Sequence, residues 1–287
     1  MNLFSAQAAR LFFLLFCLCF LPFSSLAAAE PPLELWLHPY LPAPELVRRF
    51  TPLARYLETK VGRKIEVKIS PTYEEHKQRL GEDRADLAFV GPFSYTQMTK
   101  DYGVKPILAV LENNGKTVFH GVIAVRRDGP IKTIQDLAGK SFAFGDKEST
   151  MGTVAPTIML QEAGVGVEQL SRYSFLRSHN DVALAVLGGF YEAGGMKEEV
   201  FHEYANRGLR ILAKSQPIPE HLFLAGKKLP PPVVKALRQA LLQLKDPAVL
   251  TLIQKSATGM VPATDRDYDG TRRICNAFCD HSHKPGD

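Results

Sequence analysis

Strand-like and helix-like segments alternate along almost the whole chain, and this alternation limits the folds that the sequence can adopt. A short apolar run at 33–37 precedes an amphipathic stretch at 44–61, and the same order recurs further along the chain. Repeated β-α-β units of this kind are typical of parallel sheets covered by helices. The sequence therefore predicts an α/β fold, in which a ligand binds beyond the carboxyl ends of the strands.

Hydrophobic periodicity gives the expected bounds of these segments. The predicted strands are 33–37, 65–69, 86–90, 106–111, 121–125, 141–144, 173–176, 191–196 and 209–213. The predicted helices are 44–61, 73–80, 93–102, 154–163, 181–187, 197–204, 231–244 and 247–258. Pro52 is expected either to kink the first helix or to mark its true start, because proline disrupts a helix interior.

Two hydroxyl side chains, Ser149 and Thr150, stand where the strand at 141–144 gives way to the helix-forming run at 154–163. Serine and threonine are favoured at helix N-termini because their oxygens cap free backbone N–H groups. The remaining N–H groups and the positive end of the helix dipole suit a bound oxyanion such as phosphate. Gly152 is expected to keep the first turn open for a ligand. A plain N-cap and an oxyanion site are both open at this point.

The N-terminal residues have the layout of a secretory signal peptide over 1–29. Arg10 precedes an unbroken apolar run at 11–21, and small residues follow up to Ala29. This layout, with an Ala-x-Ala cleavage signal that ends at Ala29, predicts export to the periplasm. The apolar run is about half the length that a membrane span needs, and an uncleaved N-terminal anchor is the alternative.

The charge of the chain argues against nucleic acid as a partner. Removal of residues 1–29 lowers the formal charge from +5 to +4, because that segment carries Arg10 and no acidic residue. The remaining excess is spread along the chain without a Lys/Arg block, which suits an anion-tolerant surface. The roughly 260 remaining residues are enough for one large domain or two linked lobes.

Two cysteines, Cys275 and Cys279, remain after the signal segment, so the mature chain is not a disulfide scaffold. Together with His281 and His283 they form a weak candidate for a zinc or copper site, because thiolate and imidazole suit those metals. A local disulfide and a frayed terminus are the alternatives. No cofactor is expected.

Four short motifs follow one another along the chain. They are ADLAFVGP at 85–92, FGDKESTMGTVAP at 144–156, His179 with DVALAVLG at 181–188, and SQPIP at 215–219. In this order they resemble the periplasmic phosphonate/phosphate-binding proteins of ABC transporters. The resemblance implies an α/β, two-lobed type II periplasmic binding protein fold with the ligand cleft between the lobes. It also implies two crossings of the chain, with residues 30–119 and 216–287 in lobe I, residues 120–215 in lobe II, and closure by a hinge motion.

The resemblance further implies a set of ligand-binding residues. Ser149, Thr150 and His179 would hold the phosphonate oxygens, and Tyr73 would line the cleft from the other lobe. An acidic residue of the family maps to Glu199, with Glu198 one position away as the alternative. By residue type alone, His179 also fits a helix cap, Tyr73 fits core packing, and the two glutamates fit the start of a helix.

Two positions depart from the family pattern. His221 stands where relatives that bind aminoalkylphosphonates carry an acidic residue, and Phe119-His120 stands near the place of a second cleft tyrosine. A neutral histidine is a weak partner for an ammonium group, and a protonated histidine repels it. We therefore expect His120 and His221 to face a ligand without an amine, with any effect of pH near ~6.5 for an unperturbed histidine.

The expected function is capture of a small phosphorus oxyanion (phosphate, phosphite or a phosphonate) for import through an inner-membrane ABC permease. The protein is expected to act as a monomer and not as an enzyme. One alternative is a periplasmic sensor lobe for a signalling receptor. Another is a periplasmic hydrolase with Ser149 as nucleophile, although no GxSxG elbow surrounds Ser149 and no acid that orients His179 is evident.

Overall fold

Two main β-sheets flanked by helices make up residues 30–282, the part of the chain that the computed structural model describes. The strands are β1 Leu33–Leu37, β2 Ile65–Ile69, β3 Leu87–Val90, β4 Ile107–Asn113, β5 Val118–Phe119, β6 Gly121–Arg126, β7 Ser141–Phe144, β8 Arg172–Phe175, β9 Ala193–Lys197, β10 Leu209–Lys214, β11 Ile218–Pro219, β12 Leu222–Ala225 and β13 Ala257–Val261. The α-helices are α1 Ala43–Val61, α2 Tyr73–Gly81, α3 Pro92–Tyr102, α4 Ala155–Glu162, α5 His179–Leu187, α6 Glu198–Tyr204, α7 Pro231–Gln243, α8 Pro247–Ile253 and α9 Asp269–Ser282.

Both sheets are mixed, so the prediction of parallel sheets is correct only for part of each. The six-stranded sheet has the order β13-β4-β12-β3-β1-β2, and the five-stranded sheet has the order β10-β6-β9-β7-β8. Strands β1, β2 and β3 run parallel, as do β7, β8 and β9, whereas β12 is antiparallel to β3 and β6 is antiparallel to β9. The α/β class predicted from the alternation is confirmed.

Two short strands lie between the main sheets along the chain. Strand β5 separates β4 of the first sheet from β6 of the second, and β11 separates β10 of the second sheet from β12 of the first. The two pair with each other, with Ile218 opposite Phe119. The chain therefore passes between the sheets once in each direction through a paired ribbon. The lobe boundaries expected from the sequence, 119/120 and 215/216, fall at the end of β5 and shortly before β11, and they stay a prediction.

Helix α1 is continuous although it contains Pro52. It buries one apolar face against the core, and the fully buried members of that face include Leu46, Phe50, Leu53 and Leu57. Each such side chain contributes about 1.5–3 kcal/mol by burial, which together offsets the cost of about 3 kcal/mol for an interior proline. The expectation that Pro52 marks the start of the helix is therefore wrong.

The C-terminal third differs most from the sequence-based expectation. Helix α8 ends before Gln254, which has an extended backbone, so the helix end expected at residue 258 is wrong: residues 254–256 form a turn, and residues 257–258 begin β13. In β13, Met260 pairs with Leu111 of β4, so pairing with a distant strand decides the conformation of the chain after α8. Strand β12 and helix α9 were not predicted at all. No helix among residues 30–282 is both long and apolar enough to span a bilayer, and the signal peptide expected at 1–29 lies outside the described residues.

Candidate functional site

The turn that carries Ser149 and Thr150 is built by two glycines in contact. The Ser149 hydroxyl accepts a hydrogen bond from the Gly152 N–H at 3.1 Å, and the first turn, Thr150–Val154, is π-helical. A Cβ atom on Gly152 would lie 2.9 Å from the Cα atom of Gly145 and 2.9 Å from the Ser149 oxygen. The N-cap predicted for Ser149 is present. The expectation that Gly152 leaves room for a ligand is wrong, because protein atoms fill that space.

Five of the predicted ligand-binding residues are buried, and they lie with two further buried residues at the ends of strands of the two main sheets. We call this set the buried polar cluster: His38, Tyr40, Tyr73, Ser149, Thr150, His179 and His221. The His38 ring lies 5.0 Å from the Tyr73 ring and 5.2 Å from the His221 ring, centroid to centroid. A hydrogen bond with Ser149 partly offsets the rise that burial imposes on the pKa of Tyr73.

The cluster lies where the carboxyl ends of strands from both sheets meet. His38 and Tyr40 follow β1, Tyr73 follows β2, Ser149 and Thr150 follow β7, and His179 follows β8. His221 directly precedes β12, whose first residue, Leu222, pairs with Val90 at the end of β3. This is the edge at which open α/β sheets bind ligands.

Direct hydrogen bonds join the two sides of the cluster. The Phe93 N–H at the start of α3 donates to the Thr150 hydroxyl oxygen at 3.0 Å. The His179 N–H at the start of α5 points to the Tyr40 carbonyl oxygen at 3.4 Å. Residues just after strands of the six-stranded sheet are thus in contact with residues just after strands of the five-stranded sheet.

The histidines of the cluster are neutral at physiological pH. Burial, followed by the charge of Lys197 and then His221, lowers the pKa of His179 to about 3. Burial also lowers the pKa of His38 and of His221, although Glu220 opposes the change at His221. The titration expected near 6.5 for His221 is therefore moved to lower pH. A neutral imidazole donates one hydrogen bond and accepts one.

His179 has a polar atom without a partner. Its Nδ1 atom is buried and forms no hydrogen bond within residues 30–282. An unsatisfied buried polar atom costs about 1–3 kcal/mol, so such atoms in native proteins call for an explanation. A bound ligand would supply the missing partner.

Glu220 fixes the orientation of His221, and the sequence analysis did not include it as a site residue. The Glu220 carboxylate is fully buried and accepts hydrogen bonds from the His221 backbone N–H at 2.9 Å and from the His221 Nδ1 at 2.8 Å. A carboxylate only accepts, so Nδ1 carries the hydrogen and Nε2 of a neutral His221 is an acceptor. That Nε2 atom faces Gly91, beside the Thr150 hydroxyl.

The sequence analysis also missed His38, Tyr40 and Lys197. His38 and Tyr40 come directly after β1, so the rule that ligands bind beyond strand ends could have found them. Lys197 ends β9, which is antiparallel to β6, whereas the sequence predicted a strand that ends at residue 196 and Lys197 as the first residue of the next helix. The charge of Lys197 lowers the pKa of three histidines of the cluster, which shows that it lies close by.

The remaining predicted residues, His120, Glu198 and Glu199, line a groove of about 580 Å³ and are not part of the cluster. The His120 Nδ1 contacts the Ser215 carbonyl oxygen at 2.9 Å. The Glu198 carboxylate forms an ion pair with Lys214 at 2.7 Å.

Glu199 is bound on both of its oxygens. One carboxylate oxygen lies 3.3 Å from the Arg49 guanidinium, and the other lies 3.5 Å from the Lys197 ammonium. Both glutamates that were considered as partners for a ligand therefore already have cationic partners.

An ion pair also joins α2 to the turn that carries Ser149. Lys77 of α2 contacts Glu148 at 2.6 Å and Glu74 at 2.8 Å. Burial, followed by the nearby Glu74, raises the pKa of Glu148 to about 7. Glu148 is the more buried of the two carboxyl groups, and it is the one that holds a proton near neutral pH.

Glu148→Gln is expected to change how stability depends on pH. A carboxyl group whose folded pKa is raised stabilises the fold below its ordinary value near 4.5, and this contribution is lost as pH rises through about 7. As pH rises from 5 to 8, the free energy of unfolding of the variant should therefore increase by roughly 1–2 kcal/mol relative to that of the parent protein, allowing for solvent screening. Urea unfolding at both pH values measures the gain, with Glu75→Gln on the exposed face of α2 as control. Parallel pH curves for Glu148→Gln and the parent would contradict the expectation.

The weak metal site at the C-terminus gains no support from the structure. Cys275 is buried, and its sulfur accepts a hydrogen bond from the Thr96 hydroxyl at 3.3 Å. The side chains of Cys279, His281 and His283 lie outside the described residues, and within the described residues no group of three or more ligating side chains could hold a metal ion.

Comparisons with known proteins identify the family and the fold. A family model described as "ABC transporter, phosphonate, periplasmic substrate-binding protein" matches residues 35–268. The phosphate-import protein PhnD of Mycolicibacterium smegmatis is 28% identical over 261 residues, which cover 81% of this chain and 81% of that protein.

Two solved structures share the fold. PhnD1 from Prochlorococcus marinus, in complex with methylphosphonate, has a TM-score of 0.79 at 18% identity and covers 86% of this chain and 98% of its own. A binding protein component of an ABC phosphonate transporter from Pseudomonas aeruginosa has a TM-score of 0.79 at 18% identity, over 88% of this chain and 89% of its own. These likenesses confirm the type II periplasmic binding protein fold. Since the family model spans most of the chain and the fold agrees with it, this chain belongs to the family of periplasmic substrate-binding proteins of phosphonate ABC transporters.

Proposed function

We propose that the protein binds a small phosphorus oxyanion (phosphate, phosphite or a phosphonate with an uncharged substituent) in the buried polar cluster. Membership of the family makes the chain a periplasmic component that delivers a phosphonate or phosphate ligand to an ABC permease, and not an enzyme. The more detailed proposal concerns the ligand and the residues that hold it. The observation that carries it is the buried His179 Nδ1 without a partner among the described residues, at the edge of the sheets where Ser149 and Thr150 also lie.

The chemistry of the cluster suits a partly protonated oxyanion. The hydroxyl groups of Tyr73, Ser149 and Thr150 and one ring N–H of His179 are donors for phosphoryl oxygens. The His221 Nε2 is an acceptor and can take the hydrogen of a P–OH group. Hydrogen bonds to charged groups are worth about 1.5–3 kcal/mol each, so a few of them suffice for tight binding.

Neither alternative function is favoured. A hydrolase would need an exposed, activated serine, whereas the Ser149 oxygen caps the following turn and is buried. The family assignment also concerns transport and not signalling.

We also propose that residues 30–119 and 216–287 form one lobe and residues 120–215 the other, with β5 and β11 as the hinge. The pairing of Ile218 with Phe119 supports this, because both crossings of the chain lie side by side there. Small-angle scattering with and without ligand tests it: an unchanged radius of gyration would argue against a hinge.

Two further expectations accompany the proposal. Residues 1–29 are proposed to be a cleaved signal peptide, so mature protein from the periplasm should start at Glu30, and a mass that includes residues 1–29 would contradict this. The protein is also proposed to be a monomer, which light scattering would refute by giving twice the mass of the chain.

The test of the ligand site is His179→Phe, which keeps a ring but removes both ring nitrogens. The variant should lose the rise in Tm that phosphate, phosphite or methylphosphonate produces in the parent, which at a hundred times the Kd corresponds to about 2.7 kcal/mol. Without ligand the variant should be about 1 kcal/mol more stable, because the unpartnered nitrogen is gone.

The matched control is His76→Phe. Both ring nitrogens of His76 have partners, Ser70 at 2.9 Å and the Phe89 carbonyl at 3.1 Å, so this variant should be less stable but keep its ligand response. An intact response of His179→Phe to all three anions would place the anion site elsewhere. No response of the parent protein to any of them would refute the proposed ligand class.

A further inference from the structure

Lys197 holds a buried ammonium group beside the cluster. It is the last residue of β9 and is only 3% exposed. Its Nζ atom lies 2.6 Å from the Gln254 Oε1, 3.5 Å from the Glu199 Oε2 and 3.9 Å from the Glu220 Oε1. An isolated buried ammonium is very costly, and these acceptors account for its presence.

Aromatic rings complete the enclosure of this ammonium. The Nζ atom lies 5.1 Å from the centroid of the Phe119 ring and 6.0 Å from that of the Tyr40 ring. Carboxylates together with aromatic faces are the surroundings that proteins use to hold ammonium groups. We call the place of the Lys197 ammonium group the cation position. Because Tyr40 belongs to the buried polar cluster, the cation position borders the proposed oxyanion site.

The two carboxylates of this enclosure are engaged by residues of the protein itself. Glu199 also pairs with Arg49 at 3.3 Å, and Glu220 accepts from Asn113 at 2.6 Å. A cationic group of a ligand would therefore meet the Lys197 ammonium and carboxylates that already have partners. Two positive charges that lie close together repel each other strongly when they are removed from water.

We propose that Lys197 determines specificity by occupying the cation position next to the oxyanion site, so that anions with an uncharged substituent bind and anions that carry an ammonium group are rejected. This inference rests on the proposed function, and it names the residue that excludes zwitterionic ligands. Repulsion built against an unwanted ligand is a common source of specificity.

The parent protein gives the first test. Calorimetry should show 2-aminoethylphosphonate to bind at least about tenfold more weakly than ethylphosphonate, which has the same length but no ammonium group. Equal or tighter binding of the amine would overturn the proposal. This comparison needs no variant, so it decides the question even if every substitution at position 197 prevents folding.

The second test uses Lys197→Ala, with Lys197→Met as the matched control. The alanine variant leaves a cavity beside uncompensated carboxylates, so propylammonium should raise its Tm whereas propanol should not. Methionine fills the same space without a charge, and its variant should show no such rescue. The preference between the two phosphonates should also reverse in Lys197→Ala. Equal effects of propylammonium and propanol on Lys197→Ala would overturn the cation position.

The two proposals fail separately. If no phosphorus oxyanion stabilises the parent protein, the proposed ligand class is wrong, and the rescue by propylammonium still reports on the cation position. If ethylphosphonate binds but the amine binds equally well, the ligand class stands and the role of Lys197 is refuted.

Discussion

Glu220→Gln is expected to lower the free energy of unfolding by about 3–5 kcal/mol, the usual cost of breaking a buried ion pair by removing one partner. Burial alone would raise the pKa of Glu220, but the Lys197 charge and the hydrogen bonds from His221 outweigh it and lower the pKa to about 2. The carboxylate is therefore ionised and fully buried. Glutamine would leave Lys197 without that negative charge. Its amide would also present to the two His221 donors either an N–H₂ group, which cannot accept a hydrogen bond, or a neutral oxygen, which is a weaker acceptor than a carboxylate.

Urea unfolding at pH 7 measures this loss. Because a lowered folded pKa stabilises the protein above the ordinary value of 4.5, the contribution disappears as pH falls toward about 2. The deficit of Glu220→Gln should therefore shrink on acidification. Glu198→Gln is the control, since its ion pair with Lys214 is partly exposed and worth at most about 1 kcal/mol.

A double-mutant cycle separates the ion pair from the other contacts of Glu220. The combination of Glu220→Gln with Lys197→Met removes both charges, so it should cost clearly less than the sum of the single variants. Additive losses would show that the two charges do not interact in the folded protein. That result would also contradict the description of Lys197 as a buried cation balanced by Glu220.

Thr150→Val is expected to weaken oxyanion binding roughly ten- to a hundredfold, because a hydrogen bond to a charged group is worth about 1.5–3 kcal/mol. Valine keeps the shape of the side chain and removes the hydroxyl. The structure adds a second cost, since that oxygen also accepts the buried Phe93 N–H at 3.0 Å. Calorimetry with phosphate or methylphosphonate measures the loss of affinity.

Two variants control for this prediction. Thr150→Ser keeps the hydroxyl and should retain most of the affinity. Thr153→Val changes the same turn, but the Thr153 hydroxyl donates to the Asp146 carbonyl at 2.8 Å, so this variant should lose stability and keep its affinity. Equal affinity of Thr150→Val and the parent protein would mean that Thr150 does not contact the anion.

Short-range patterns were sufficient for the elements that bury one continuous face. The spacing of Leu46, Phe50 and Leu53 predicts helix α1, and the alternation at Ile65 to Ile69 predicts strand β2. The pattern failed where a segment pairs with a distant partner. Residues 257–258 were expected to end a helix, whereas they begin strand β13, which pairs with β4.

The candidate site divides in the same way. Ser149, Thr150, Tyr73 and His179 follow strand ends, which is a local property, so their place in the buried polar cluster could be expected from sequence. Their binding role stays a prediction. His120, Glu198 and Glu199 were expected beside them but line the neighbouring groove, because ion pairs and backbone contacts hold them there.

The sequence by itself therefore determined the α/β class, the resemblance to its family and the hydroxyl-bearing turn, since each rests on residues close together in the chain. Only the tertiary structure decided the charge around the site. Lys197 and Glu220 are 23 positions apart in the chain, yet they share one buried enclosure with Gln254. Electrostatic energies depend on distance and burial and not on separation along the chain, so no sequence pattern could show that the acidic residues already have a cation of their own.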